Sequence, residues 1–162
     1  MPVTPEPGID PLDPRAAVTS RRLARSPAAV FAAISDPVRL ARWWGPAGFR
    51  SSFEQFDFRP GGRWRFVLHG PDGRDYPNEM EFAAIEAPRR VVMKHRNGHL
   101  FELTITLDDD DGAGGTRLGW RQRFESAEHC ARVAPIVVPA NEQNLDRLEA
   151  ELAHGAPAEG PP

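Results

Sequence analysis

Polar side chains in the apolar phase of an amphipathic segment are the most informative candidates for chemistry in this sequence. Asn78 and His95 fall in the apolar phase of two predicted strands. Gln122 lies between two aromatic residues of a third strand, and Asn141 falls on the apolar face of a predicted C-terminal helix. Small-molecule pockets combine apolar walls with a few convergent polar groups. The four residues therefore predict a ligand pocket.

Each polar residue also has a structural interpretation. His95 can hydrogen-bond a backbone carbonyl, and Asn141 can cap a helix. Gln122 is hardest to explain in this way, because a glutamine in the middle of a strand has no local backbone role. Large inward side chains can also fill a space instead of lining it, so a packed core is the alternative to a pocket.

Metal and cofactor chemistry has little support. His95 and His99 bracket the Asn97-Gly98 turn, but no cysteine or carboxylate completes a ligand set there. The acidic run 108–111 is typical of a solvated hairpin tip. The sequence contains no phosphate loop, dinucleotide fingerprint or Gly-x-Ser-x-Gly motif. We therefore expect no metal and no cofactor, and no catalytic nucleophile can be named.

The composition limits the function classes further. The chain has 162 residues, 40% of them hydrophobic, and a net charge of −3, with 20 basic residues dispersed among 23 acidic ones. This pattern argues against nucleic-acid binding. Cys130 is the single cysteine, which excludes an internal disulfide and fits a reducing cytoplasm. No apolar run approaches the roughly 20 residues that span a bilayer, so we predict a soluble cytoplasmic protein.

The elements that position these residues begin with a short strand over 18–24. Two short helices follow, because Ser26-Pro27 and Asp36-Pro37 each place a proline at a first helical position. Trp43 and Trp44 end the second helix, and adjacent indoles point in different directions, so one is predicted to enter the core and the other to cap it.

Alternation of apolar and polar residues from 50 to 124 predicts about six antiparallel strands with one apolar face. The pattern slips by one residue between Phe53 and Phe56, which predicts a bulge. An apolar sheet face needs a cover, and the C-terminal segment supplies it. Pro135 and Pro139 are expected to divide that segment into a short helix over 127–133 and a main helix over 139–154.

Several short motifs occur in order along residues 17–153: Asp36-Pro37, Trp43-Trp44-Gly45-Pro46-Ala47-Gly48-Phe49, Asp57 with Arg59-Pro60-Gly61-Gly62, Gly70-Pro71-Asp72-Gly73, and Ala140-Asn141-Glu142-Gln143-Asn144-Leu145-Asp146-Arg147-Leu148. Together they resemble the Hsp90-ATPase-activator-like (AHSA1-like) branch of the START/Bet v 1-like (SRPBCC) superfamily. The resemblance implies an α+β helix-grip fold: a curved antiparallel sheet of about six to seven strands wraps around a long C-terminal helix, with two short helices after the first strand.

The resemblance also implies one domain over residues 17–154. Residues 1–16 and 155–162 are expected to be disordered tails. Between the sheet and the last helix, relatives often keep a cavity for an apolar ligand. The residues predicted to line it here are Trp43, Trp44, Trp64, Phe66, Tyr76, Asn78, Met80, Met93, His95, Phe101, Trp120, Gln122, Asn141 and Leu145.

Three functions follow from the resemblance. The first is a binding module for a small hydrophobic or aromatic molecule. The second is a co-chaperone-like module that binds a chaperone or another protein, although the sequence lacks the additional N-terminal domain that the Hsp90 activator uses on its partner. The third is a cofactor-free enzyme similar to polyketide cyclases or aromatases, with His95 or Tyr76 as general acid or base. A monomer and a homodimer are both open.

Overall fold

An antiparallel sheet of eight strands and three helices make up the computed structural model, which describes residues 6–110 and 114–154. The strands lie side by side in the order β1-β2-β8-β7-β6-β5-β4-β3. The elements are β1 (Gly8–Asp10), β2 (Asp13–Leu23), α1 (Pro27–Ser35), α2 (Pro37–Trp43), β3 (Arg50–Phe56), β4 (Arg63–His69), β5 (Asp75–Glu86), β6 (Arg90–His95), β7 (Phe101–Asp110), β8 (Gly115–Phe124) and α3 (Ala127–His154).

The two short helices begin where the sequence predicts. The Ser26 hydroxyl accepts a hydrogen bond from the Ala29 amide at 3.2 Å, and the Asp36 carboxylate accepts one from the Val38 amide at 3.0 Å. Both caps satisfy amides that have no partner within their helix. The predicted bulge is also present, because the pairing of β3 with β4 shifts between Phe53 and Gln55.

The C-terminal helix differs from the prediction. α3 is one continuous helix from Ala127 to His154, although it contains Pro135 and Pro139. Each proline removes one backbone hydrogen bond, but both prolines are exposed. Water can reach the carbonyl groups that lose their partners, so the helix continues instead of breaking.

The N-terminal segment also differs from the prediction. Residues 8–10 form β1 and residues 13–23 form β2, where a disordered tail was expected through residue 16. Arg121 on β8 donates hydrogen bonds to Asp10 at 2.7 Å and to Asp13 at 2.8 Å. These ion pairs help to hold β1 against β2 at the edge of the sheet. The expected tails at 1–5 and 155–162, and the tip residues 111–113, lie outside the described residues.

The core lies between the sheet and the helices. Trp43 is fully buried, and its indole N–H donates to the Ala33 carbonyl at 3.0 Å. Trp44 turns the other way, and its ring centroid lies 4.9 Å from that of Trp64 and 5.7 Å from that of Trp120. α3 buries Leu145, among other leucines, in this core. The helix-grip fold is therefore confirmed, with β1 as an additional edge strand.

Candidate functional site

A cavity of about 190 Å³ lies where α3 covers strands β4 to β8 and the segment that follows α2. Its walls are mainly apolar and aromatic. The lining residues are Trp44, Gly45, Pro46, Phe66, Leu68, Asn78, Met80, His95, Phe101, Leu103, Trp120, Gln122, Ile136, Val137, Ala140, Asn141 and Asn144.

Most of the residues predicted to line a cavity reach this one, including all four polar residues. Five do not. Trp43, Trp64, Met93 and Leu145 are buried in the packed core. Tyr76 lies outside the cavity with 40% of its surface exposed, and its hydroxyl donates to the Asp72 carboxylate at 3.1 Å. The structure therefore does not bring Tyr76 and His95 together in the cavity.

Gln122 and Asn141 meet across the cavity. The Asn141 Nδ2 donates to the Gln122 Oε1 at 3.1 Å, which joins α3 to β8. Gln122 is only 8% exposed, and it faces inward on the same side of β8 as Trp120. The Asn141 side chain contacts a facing strand, so its role is not that of a helix cap.

His95 and Asn78 form the second polar pair. The His95 Nε2 lies 2.7 Å from the Asn78 Oδ1, and its Nδ1 lies 2.6 Å from the His99 carbonyl oxygen. The ring also stacks on Phe101, with centroids 4.6 Å apart. A neutral ring carries one N–H and can donate to only one of these acceptors, whereas an imidazolium can donate to both.

The two acceptors favour the charged form of His95, whereas burial favours the neutral form. Burial lowers the pKa of the ring, and the hydrogen bond to the His99 carbonyl offsets part of this effect. The net direction is a lowered pKa, because burial is the largest effect on the ring. The Asn78 amide keeps its oxygen toward His95, since its Nδ2 donates to the Tyr76 carbonyl at 2.8 Å. His95 is therefore a positioned polar wall residue whose two ring nitrogens already have protein partners.

Trp120 contributes a feature that the sequence did not reveal. Its side chain lines the cavity and is only 3% exposed, yet its indole Nε1 has no hydrogen-bond partner among the described residues. A buried donor without a partner costs about 1–3 kcal/mol. An indole looks like a simple core residue in a sequence, so no local signal could identify this donor.

Asn144 and Arg147 hold the turn that forms one end of the cavity. Asn144 accepts a hydrogen bond from the Gly45 amide at 3.3 Å and donates to the Trp43 carbonyl at 2.9 Å. Arg147 donates to the carbonyl groups of Trp44, Gly45 and Pro46 at 3.0–3.3 Å. The only sequence signal for Asn144 was a polar residue on the apolar face of a predicted helix.

A separate hydrogen-bonded chain lies on the other face of the sheet. The Ser52 hydroxyl lies 2.7 Å from the His69 Nε2, and the Asp75 carboxylate lies 2.7 Å from the His69 Nδ1. The order resembles the Ser-His-Asp relay of hydrolases. However, Ser52 is exposed on the edge strand β3 and does not line the cavity. The geometry is therefore that of a surface network on the sheet.

In the ranges 6–110 and 114–154, no group of three or more histidine, cysteine, aspartate or glutamate side chains could hold a metal ion. No helix in the part of the chain that the structure describes is long and apolar enough to cross a membrane.

The helix-grip fold and its covered cavity place this chain in the START/Bet v 1-like (SRPBCC) superfamily. Residues 24–153 match the family described as activator of Hsp90 ATPase homolog 1-like protein. Because the match covers most of the chain, the chain belongs to that family. No curated protein sequence matches the chain.

Solved structures show the same fold. A crystal structure of a Mycobacterium smegmatis protein has a TM-score of 0.81 at 23% identity, covering 95% of this chain and 100% of that one. A Rhodobacter sphaeroides protein has a TM-score of 0.79 at 25% identity, covering 91% and 98%. An AHSA1 protein from Silicibacter pomeroyi has a TM-score of 0.68 at 24% identity, covering 87% and 99%. The family and the fold support a ligand-binding or co-chaperone-like domain in general terms.

Proposed function

We propose that this protein is a binding module for a small apolar or aromatic molecule, which it holds in the cavity between the sheet and α3. The observation that carries the proposal is the combination of apolar walls with the Gln122 and Asn141 side chains, which meet at 3.1 Å across the cavity. That bond leaves an amide NH2 group and an amide oxygen without a further partner among the described residues. Small-molecule pockets combine apolar walls with a few polar groups of this kind.

The cavity volume limits the size of the ligand. About 190 Å³ is below the roughly 300–1,000 Å³ of most drug-sized sites. It is close to the roughly 150 Å³ of an engineered apolar cavity that admits benzene in another protein. The ligand that fits without rearrangement is therefore a single ring with a short substituent, rather than a polyketide or a flavonoid.

The cyclase-like alternative has less support. The two candidates for acid and base catalysis do not converge on the cavity, because Tyr76 is exposed and bound to Asp72. His95 already contacts protein acceptors through both ring nitrogens. A general base must reach the proton that it abstracts, and neither residue offers a free basic atom to a ligand.

A thermal-shift screen of single-ring aromatic compounds tests the proposal. A ligand at 100 times its Kd stabilises the folded protein by about 2.7 kcal/mol, which corresponds to a rise in Tm of about 5–11 °C for a domain of this size. Failure of all such compounds to raise Tm would contradict the proposal.

A matched pair of variants locates the site. Ala140 lines the cavity, whereas Ala131 lies on the same helix and is exposed. We expect Ala140→Phe to fill the cavity and abolish the ligand-dependent shift, and Ala131→Phe to keep it. Circular dichroism checks that both variants are folded. An unchanged shift in folded Ala140→Phe would place the ligand elsewhere.

A co-chaperone-like interaction is the second candidate, because the family carries the description of an Hsp90 ATPase activator. One exposed apolar residue on α3, Ile136, has 76% of its surface accessible and offers a contact point. A pull-down with the Hsp90 of the source organism tests this candidate. The candidate is supported if the wild type binds Hsp90 and Ile136→Asp does not. It is excluded if the wild type does not bind.

A further inference from the structure

The Gln122 and Asn141 side chains restrict what a ligand can offer. Each amide has one oxygen acceptor and one NH2 donor group. Their mutual bond at 3.1 Å uses one oxygen and one nitrogen. One NH2 group and one oxygen therefore remain, on opposite walls of the cavity. If both amides are flipped, the two residues exchange these roles, but the cavity still faces one donor and one acceptor.

Trp120 adds an aromatic wall beside this pair. It lies two residues before Gln122 on β8, so both side chains point to the same face of the sheet. The two residues are more than nine-tenths buried, and both line the cavity. The cavity thus presents one amide donor and one amide acceptor beside the Trp120 ring and other apolar walls.

The cavity offers no charge to balance an anion. No lysine, arginine, aspartate or glutamate is among its lining residues. His95 is the only lining residue that can become positive, and both of its nitrogens face protein acceptors. A carboxylate has only acceptor atoms, so it cannot pair with the remaining amide oxygen. Its charge would also be unbalanced, which is costly in an apolar site.

We propose that the cavity selects neutral single-ring ligands whose polar head both donates and accepts hydrogen bonds, such as a phenolic hydroxyl or a primary carboxamide, over carboxylates and over plain hydrocarbons. A hydroxyl can accept from the free amide N–H and donate to the free amide oxygen. A carboxamide offers the same complement. This inference rests on the proposed function, since it names the class of ligand for the same cavity.

A series of compounds with similar rings tests the selection by head group. Affinities of p-cresol, benzamide, benzoate and toluene are measured by isothermal titration calorimetry at pH 7.5. We expect p-cresol and benzamide to bind at least ten-fold more tightly than both benzoate and toluene. Gln122→Leu keeps a side chain of similar size but removes the amide, so it is expected to reduce the preference for p-cresol over toluene to less than three-fold. Ser52→Ala, on the outer face of the sheet, is the control and keeps the wild-type preference.

The outcomes separate the two proposals. If toluene or benzoate binds as tightly as p-cresol, the inferred selection by head group is wrong, while the cavity remains a ligand site. If no compound binds, both proposals fail. If Gln122→Leu does not fold, Asn141→Leu makes the same test from the helix side, and retention of the full p-cresol preference in a folded variant would overturn the inference.

Discussion

Two asparagines on α3 are expected to have different roles, one in the stability of the fold and the other in ligand binding. Asn144 and Asn141 are three residues apart, and both line the cavity. Asn144 is 6% exposed and hydrogen-bonds two backbone groups, the Gly45 amide and the Trp43 carbonyl. Asn141 has one hydrogen-bond partner among the described residues, the Gln122 side chain. The two alanine variants should therefore behave differently.

The expected magnitudes follow from these contacts. Asn144→Ala leaves two buried backbone groups without partners, which costs about 2–4 kcal/mol in the free energy of unfolding. This corresponds to a fall in Tm of about 4–16 °C. Asn141→Ala frees one side-chain oxygen that faces the cavity, so we expect a cost of about 1 kcal/mol or less. It should nevertheless weaken the binding of p-cresol, because the donor and acceptor set is incomplete.

The assay is urea and thermal unfolding of both variants beside the wild type, followed by calorimetric titration with p-cresol. Asn144→Leu, which keeps the bulk but removes the polar atoms, is the control for packing, and it should lose about as much stability as Asn144→Ala. If Asn141→Ala is destabilised as much as Asn144→Ala, the division between a structural and a ligand-binding asparagine is refuted.

Three further predictions follow from charge and exposure. Burial lowers the pKa of His95, so the unfolded state takes up this proton at a higher pH than the folded state does. The free energy of unfolding should therefore fall, by at most about 1 kcal/mol per pH unit, as the pH decreases below about 6.5. His95→Gln should remove this component in pH-dependent urea unfolding, whereas His154→Gln, at an exposed site, should not. Glu151→Leu leaves the Arg39 guanidinium buried without its 3.0 Å partner, and chemical denaturation should show a loss of about 3–5 kcal/mol; Arg39→Met should cost less, because Glu151 keeps a second arginine. Fluorophosphonate probes should leave Ser52 unlabelled in mass spectrometry, because an exposed site without a cavity does not hold the acyl group of a substrate.

The structural elements that depend on local signals were predictable. Both short helices start at the Ser26-Pro27 and Asp36-Pro37 caps, since capping involves neighbouring residues only. The bulge after Phe53 was visible as a slip in the alternating pattern. The continuity of α3 through Pro135 and Pro139 was not predictable, because it depends on water access to the exposed side of the helix.

The candidate site was predictable in part for the same reason. The inward phase of Gln122 and His95 follows from strand alternation, so these residues could be assigned to the apolar face in advance. The position of Tyr76 outside the cavity could not be predicted, because its place at the end of the sheet and its hydrogen bond to Asp72 depend on the adjacent turn. The structural role of Asn144 likewise requires the turn after α2 to lie against α3.

The sequence by itself determined the two short helices and the six strands that follow them, because periodicity, caps and turns act over a few residues. Only the tertiary structure decided which residues meet. Arg121 brings Asp10 and Asp13 to the sheet and makes β1 a strand. Asn141 reaches Gln122, and α3 stops far enough from the sheet to leave about 190 Å³. Contacts between distant segments and the space that side chains leave unfilled depend on packing in three dimensions, which no local pattern records.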